Sequence, residues 1–196
     1  AQALCEEHGK LDQVFPVFRG LWNCYLGRGE MQRAHDLAVR ISTQAAAHDE
    51  PLHRALAHRA LGSSLFFLGR FAESLDETDQ AVAIDDALDG SDGERTQLFL
   101  YGERPGIIAR LYGGWALWFL GFPDRAVARF DEAIALAEGL GHAYSLAFSL
   151  TFAAGMRNDR RDFAVALSCA EAASRIAAKH DLPLWMSESA IAKGFA

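Results

Sequence analysis

One short block of sequence occurs four times, and the recurrence limits the fold more than any single motif. Gly29-Glu-Met-Gln-Arg-Ala34, Gly69-Arg-Phe-Ala-Glu-Ser74, Gly121-Phe-Pro-Asp-Arg-Ala126 and Arg161-Asp-Phe-Ala-Val-Ala166 each read as a turn running into a helix. Their starts are separated by 40, 52 and 40 residues. A period in this range is the signature of stacked supersecondary units, each of which buries its apolar face against its neighbours.

Aligned on these blocks, small residues fall into columns. One column is Ala34, Ser74, Ala126 and Ala166, and seven residues on comes Ile41, Ala81, Ala133 and Ala173. Spacings of three, four and seven put such residues on one helix face. Upstream, Gly62, Gly114 and Gly194 share a column, with Trp22 in that place in the first repeat. Glycine in a helix interior costs roughly 1 kcal/mol against alanine, and a close helix–helix contact offsets that cost. Each unit therefore reads as helix A, a turn and helix B. The A helices are expected near 12–27, 51–68, 104–120, 142–156 and 183–195, and the B helices near 30–47, 71–87, 123–139 and 161–180. Residues 1–8 are read as the tail of an earlier B helix. Pro51, Pro123 and Pro183 suit first helical turns, and Gly139 and Gly141 suit a helix end. The longer interval puts twelve extra residues into a Gly- and Asp-rich insertion at about 85–106.

Composition agrees with an all-α chain. Of the 196 residues 51% are hydrophobic, enough for a large core. Alanine and leucine dominate while β-branched residues are sparse, which favours helix over strand. The net charge of −7 repels phosphate and argues against nucleic-acid binding. Three scattered cysteines without a CxxC pair point to reduced, buried thiols and a cytoplasmic protein. No signal peptide and no stretch long enough to cross a membrane is visible, so no membrane role is expected. Both ends read as mid-helix, and the chain is expected to be one domain, residues 1–196, cut from a longer protein.

The columns resemble the tetratricopeptide repeat. Leu61-Gly62 with Ala72 and Ala81 fits its pattern, as does Gly114 with Ala126, Phe130 and Ala133. The period of 40 exceeds that family's usual one, so the helices are expected to be about a turn longer. What the resemblance implies is a right-handed α-solenoid of about four such helix-turn-helix repeats, flanked by partial ones. A narrower likeness lies in Leu100-Tyr-Gly-Glu-Arg-Pro-Gly-Ile, Trp115-Ala-Leu-Trp-Phe-Leu-Gly-Phe-Pro-Asp-Arg-Ala126, Leu140-Gly-His-Ala-Tyr-Ser-Leu-Ala-Phe148 and Leu182-Pro-Leu-Trp185. These runs resemble the C-terminal helical region of bacterial signalling proteins in which a class III adenylate/guanylate cyclase or a kinase domain precedes an AAA-type ATPase module. The likeness is most specific around residues 98–126. Arg104 departs from it, standing where the resemblance leads one to expect Asp before Pro-Gly.

No catalytic part of such proteins is found in this segment. There is no GxxxxGK[ST] loop and no nucleophile in a strand-to-helix elbow, so the segment is expected to be non-catalytic and to bind no cofactor. His53 and His58 lie about 140° apart around a helix and diverge, which argues against a metal pair. In the acidic run Asp85–Glu94, Leu88 and Gly90 interrupt the alternating ligands of a calcium loop. Arg157, Arg160 and Arg161 read as a solvated patch at a helix end.

In related repeats helix A lines the concave face. By register that face offers Arg19, Asn23, Arg59, Ser63, Phe66, Phe67, Leu111, Trp115, Trp118 and Phe119. Arginines beside aromatics make a groove for an acidic or aromatic peptide. The opposing reading puts most of these aromatics in the inter-repeat core. Three roles stay open. The first is a regulatory scaffold holding a peptide, a partner protein or the parent's own ATPase module. The second is a sensor with an inducer pocket inside the superhelix, and the third is a structural or homodimer arm.

Overall fold

The computed structural model describes residues 11–47, 50–88, 102 and 104–196, with side chains from residue 16 on. The reading of residues 1–8 and most of the 85–106 insertion lie outside the described residues. Among those described, every regular element is a helix. They are α1 (Leu11–Gly27), α2 (Met31–Ala47), α3 (Pro51–Phe67), α4 (Phe71–Ala87), α5 (Pro105–Phe119), α6 (Pro123–Leu140), α7 (Ala143–Asp159), α8 (Phe163–Lys179) and α9 (Pro183–Phe195). Odd-numbered helices are A helices and even-numbered ones B helices. Six of the nine are 17 residues long, about 25 Å, and two such helices with their turns account for the 40-residue period. The chain divides into two compact units, Ala1–Ala109 and Arg110–Ala196, the boundary falling within α5.

The recurring block is a helix stop followed at once by a helix start. Gly29, Gly69, Gly121 and Arg161 all take the left-handed conformation, with φ of 74°, 75°, 87° and 67°. In each turn this residue's amide donates to the carbonyl three residues back, and the next amide donates to the carbonyl five back, as Gly69 N to Phe66 O and Arg70 N to Leu65 O. That pair of bonds is the Schellman closure of a helix. The second of the two residues then offers its own carbonyl to the amide four residues on, the first i to i+4 bond of the new helix: Glu30 to Ala34, Arg70 to Ser74, Phe122 to Ala126 and Asp162 to Ala166. One residue closes A and opens B, which fixes how the two helices meet.

The small-residue columns lie where A meets B. Ala34, Ser74, Ala126 and Ala166 are each fully buried, and so are Ala81, Ala133 and Ala173. A Cβ placed on Gly62 would stand 2.6 Å from the Thr78 methyl and 3.2 Å from the Ser74 carbonyl oxygen. The Ser74 hydroxyl in turn donates to the Gly62 carbonyl at 2.8 Å, tying α4 to α3 through a backbone that a side chain would cover. On Gly114 a Cβ would come within 2.8 Å of the Phe130 ring. Gly194 does not share this role: nothing lies within 4 Å of where its Cβ would be.

In the first unit, α2 packs on α3, α3 on α4 and α1 on both α2 and α3. The core runs through Phe18, Trp22, Leu37, Ile41, Leu56 and Leu61. Cys24 is exposed rather than buried, because α1 turns Phe18 and Trp22 inward and residue 24 lies well round the helix from both. At the foot of the unit, buried Arg104 donates through Nε to the buried Asp85 carboxylate at 2.7 Å. The Asp85 carboxylate also covers Gly106, whose Cβ, if present, would stand 2.1 Å from Oδ2. Thus Arg104, the departure from the expected Asp, brings a counter-charge for an acid that arrives from the end of α4.

In the second unit α7 packs on α6, α8 and α9, and α8 packs on α9. The arginines at the end of α7 and just beyond it are not a free solvated patch. Arg157 reaches Asp131 on α6 at 2.9 Å and Asp162 at 3.5 Å. Arg160 reaches Asp124 at 3.0 Å and Asp162 at 3.1 Å. Two neighbouring hairpins are bridged at one edge by this network, and Arg161, held at positive φ, is exposed beside it.

Three outcomes follow for thermal unfolding. Gly62→Ala and Gly114→Ala each destabilise by about 1–3 kcal/mol through overpacking, whereas Gly194→Ala leaves the melt unchanged or raises it. Arg161→Gly stabilises by about 1 kcal/mol because glycine tolerates the left-handed turn, and Gly121→Ala loses about as much. Removing one partner of the buried pair, by Asp85→Ala or Arg104→Ala, costs about 3–5 kcal/mol, while the double variant loses less than the two singles together. A melt that ranks Gly194→Ala with Gly62→Ala contradicts the seam.

Candidate functional site

The candidate residues fall on A helices, and each unit treats them differently. In the first unit Trp22 of α1 donates its indole N–H to the Ser64 hydroxyl of α3 at 2.9 Å. The Arg59 guanidinium lies over the indole, 4.7 Å from its centroid. A desolvated cation over a tryptophan face contributes about 2 kcal/mol. Arg19, Trp22, Leu56 and Arg59 line one small cavity of about 10 Å³, room for about one water and no larger ligand. The two arginines singled out from the sequence therefore do converge, but on a tryptophan seam and not on an open groove.

Arg59 is only 5% exposed. Ser63 is fully buried, and its hydroxyl turns back to the Arg59 carbonyl at 2.9 Å. That corrects the expectation of a solvent-facing Ser63: α3 is enclosed along nearly its whole length, from Leu52 to Leu65, and leaves little of that face open. Asn23 is exposed on α1. Phe66 and Phe67 meet edge to face at the end of α3, with Phe71 of α4 against Phe66, and Phe67 is 42% exposed. His53 is buried while the His58 ring bonds to Glu77 at 2.7 Å, so the two histidines do diverge.

The second unit carries a continuous aromatic run across its A helices. Tyr144, Phe148 and Phe152 stand at i, i+4 and i+8 on α7 and form one stripe. Phe152 meets Tyr112 of α5 at 5.7 Å, and Phe148 stacks on Trp185 of α9 with centroids 4.4 Å apart. Tyr144 closes edge to face on the same Trp185 at 5.6 Å. Tyr112, Phe148 and Trp185 are buried, while Tyr144 and Phe152 are half-buried and keep an edge toward solvent. Trp115 stacks on Phe119, meets Phe130 edge to face and lies 3.4 Å from the Cβ position of Gly155, whose missing side chain admits it. Leu111 is buried, Trp115 and Trp118 are half-buried, and Phe119 is 53% exposed. Beside the stripe, the His142 ring bonds the Ser145 hydroxyl at 2.9 Å, and burial pushes its pKa down, so it is neutral at ordinary pH.

Sequence register alone missed Tyr144, Phe148, Phe152 and Trp185. The fourfold spacing of the first three was visible, but their union with Trp185 needs α9 laid against α7. Chemically such a run offers flat apolar area with little side-chain entropy to lose, suited to holding a chain segment. Among the described residues no group of three His, Cys, Asp or Glu side chains is placed to hold a metal ion, and no helix is long and apolar enough to cross a membrane.

No protein-family model and no curated protein matches the chain. Solved structures do. A Podosopora anserina protein assigned as a kinesin light chain, with nearly identical tetratricopeptide-like repeats, aligns at a TM-score of 0.61, with 17% identity over 95% of this chain and 88% of that one. A point variant of the same protein aligns at 0.63, with 17% identity over 96% of this chain and 89% of that one. The all-helical hairpin architecture and these neighbours agree on the fold: an α-solenoid of tetratricopeptide-like repeats.

Proposed function

We propose that this chain is a non-catalytic docking module that holds an extended or helical segment of a protein on the A-helix face of its repeats. The aromatic run from Tyr112 through Phe152 and Phe148 to Trp185 carries the reading, because it pairs a rigid buried base with the half-open edges of Tyr144 and Phe152. Interfaces draw most of their energy from a few such anchors. Trp115, Trp118 and the exposed Phe119 extend the apolar surface of the same unit. Taken by itself, the first unit exposes Asn23 and Phe67 on its own A helices.

The regulatory part of the proposal rests on the sequence resemblance around residues 98–126. In that setting residues 1–196 act as one cytoplasmic repeat domain of a bacterial signalling protein. Its bound segment comes from a partner protein or from the parent's own ATPase module, and occupancy biases the parent between two states.

The test is selection of a phage-displayed random peptide library on the whole chain, followed by anisotropy titration of the recovered peptides. Phe152→Ser and Tyr144→Ser each weaken binding by at least about tenfold, equivalent to about 1.4 kcal/mol, while the fold is retained by circular dichroism. Unchanged affinity in both variants overturns the reading.

A further inference from the structure

The first unit has a second surface, on the side of its B helices. Between α2 and α4, with α3 beneath, runs a solvent-open groove of about 460 Å³. Leu61 and Leu65 of α3 form its floor, and Val39 of α2, 45% exposed, forms an apolar wall. The opposite wall belongs to α4, which carries six carboxylates and neither lysine nor arginine. Three of them, Glu73, Asp76 and Glu77, stand at i, i+3 and i+4 and so share the face along the groove. Arg70 bonds Glu73 and offsets one charge, and the hydrogen bond from Arg70 holds the Glu73 carboxyl below its ordinary range, so it stays ionised. His58 bonds Glu77, and His35 lines the wall beside Val39. One arginine against three carboxylates leaves that wall net negative over an apolar floor.

We propose that this groove between the B helices is a docking site for a cationic amphipathic segment of a partner protein, one that sets a leucine-like side chain against Val39, Leu61 and Leu65 and lysines or arginines along Glu73, Asp76 and Glu77. The surface is separate from the A-helix aromatic run, so one module engages two segments of different chemistry. Charge complementarity selects the occupant: an acidic peptide and a nucleic-acid phosphate are both repelled by this wall. A groove open along its length and floored by a helix suits a chain segment better than an enclosed small molecule.

The probe is a fluorescein-labelled peptide with leucines on one helical face and lysines on the other, titrated against the whole chain. A matched peptide with glutamates in place of the lysines gives no measurable binding. Asp76→Lys with Glu77→Lys weakens the cationic peptide by at least about tenfold, and raising salt from about 50 to about 300 mM weakens it severalfold. Val39→Asn weakens it without changing that salt dependence. Reversal of two exposed acids elsewhere, Glu138→Lys with Glu188→Lys, and the A-face change Phe152→Ser leave the affinity as in the parent chain. Equal loss in the Glu138/Glu188 control shows only diffuse charge attraction and overturns the proposal. Unchanged binding in the Asp76/Glu77 variant overturns it as well. Should Asp76→Lys with Glu77→Lys unfold the chain, Asp76→Asn with Glu77→Gln, which keeps the shape and removes charge, decides by the same criterion. Failure here leaves the A-face reading intact, because Phe152→Ser is scored separately with the peptides selected on that face.

Discussion

The structure depends on backbone contact where a side chain would otherwise stand between A and B. At Gly62 the facing helix comes so near that the Thr78 methyl and the Ser74 carbonyl occupy the space of a Cβ. At Gly114 the Phe130 ring does the same. Close approach brings the flanking alanines into full burial and lets Ser74 donate to the Gly62 carbonyl. Little area is buried per alanine, so each hairpin gains by repetition and by packing density rather than by bulky core residues. Larger residues are then free for the seams between hairpins, which is where Trp22, Phe148 and Trp185 lie.

Those seams are filled by different means in the two units. In the first, Arg59 over Trp22, with Ser64 accepting from the indole, makes a polar-aromatic joint with almost no space left over. In the second the joint is purely aromatic, and its half-buried members reach the surface. A sealed joint holds neighbouring helices together, whereas a joint with open edges can also meet a partner. The same fold therefore separates a sealed A-helix contact from one that keeps aromatic edges at the surface. The B side of the first unit contributes surface charge instead, through an α4 wall without a basic residue.

Much of the fold was legible in the sequence because it is written by turn chemistry. The expected spans of α4 and α9 match the observed ones, since Pro183 and the Gly69-Arg-Phe block mark their starts without ambiguity. Helix α7 runs on to Asp159, past the expected end at Met156. The polar run Arg157-Asn-Asp-Arg160 looks like a loop, but Arg157 is satisfied by Asp131 and Asp162, and Arg161 supplies the left-handed stop that glycine supplies elsewhere. The site was less legible. Amphipathic periodicity identifies an open face only when one side of a helix is solvated, and α3 is packed nearly all round, so register misplaced Ser63 and Arg59. The pairing of Asp85 with Arg104 is a long-range event that no local pattern announces.

The most direct measurement is a nuclear Overhauser spectrum of the isotopically labelled chain. Glycine α protons sit where a Cβ would project, so the account predicts strong cross peaks from Gly62 to the Thr78 γ-methyl and from Gly114 to the Phe130 ring protons, with no inter-helix cross peak from Gly194. Absence of the first two in a folded sample, or an equally strong set from Gly194, would mean that the hairpins do not meet along the seam described.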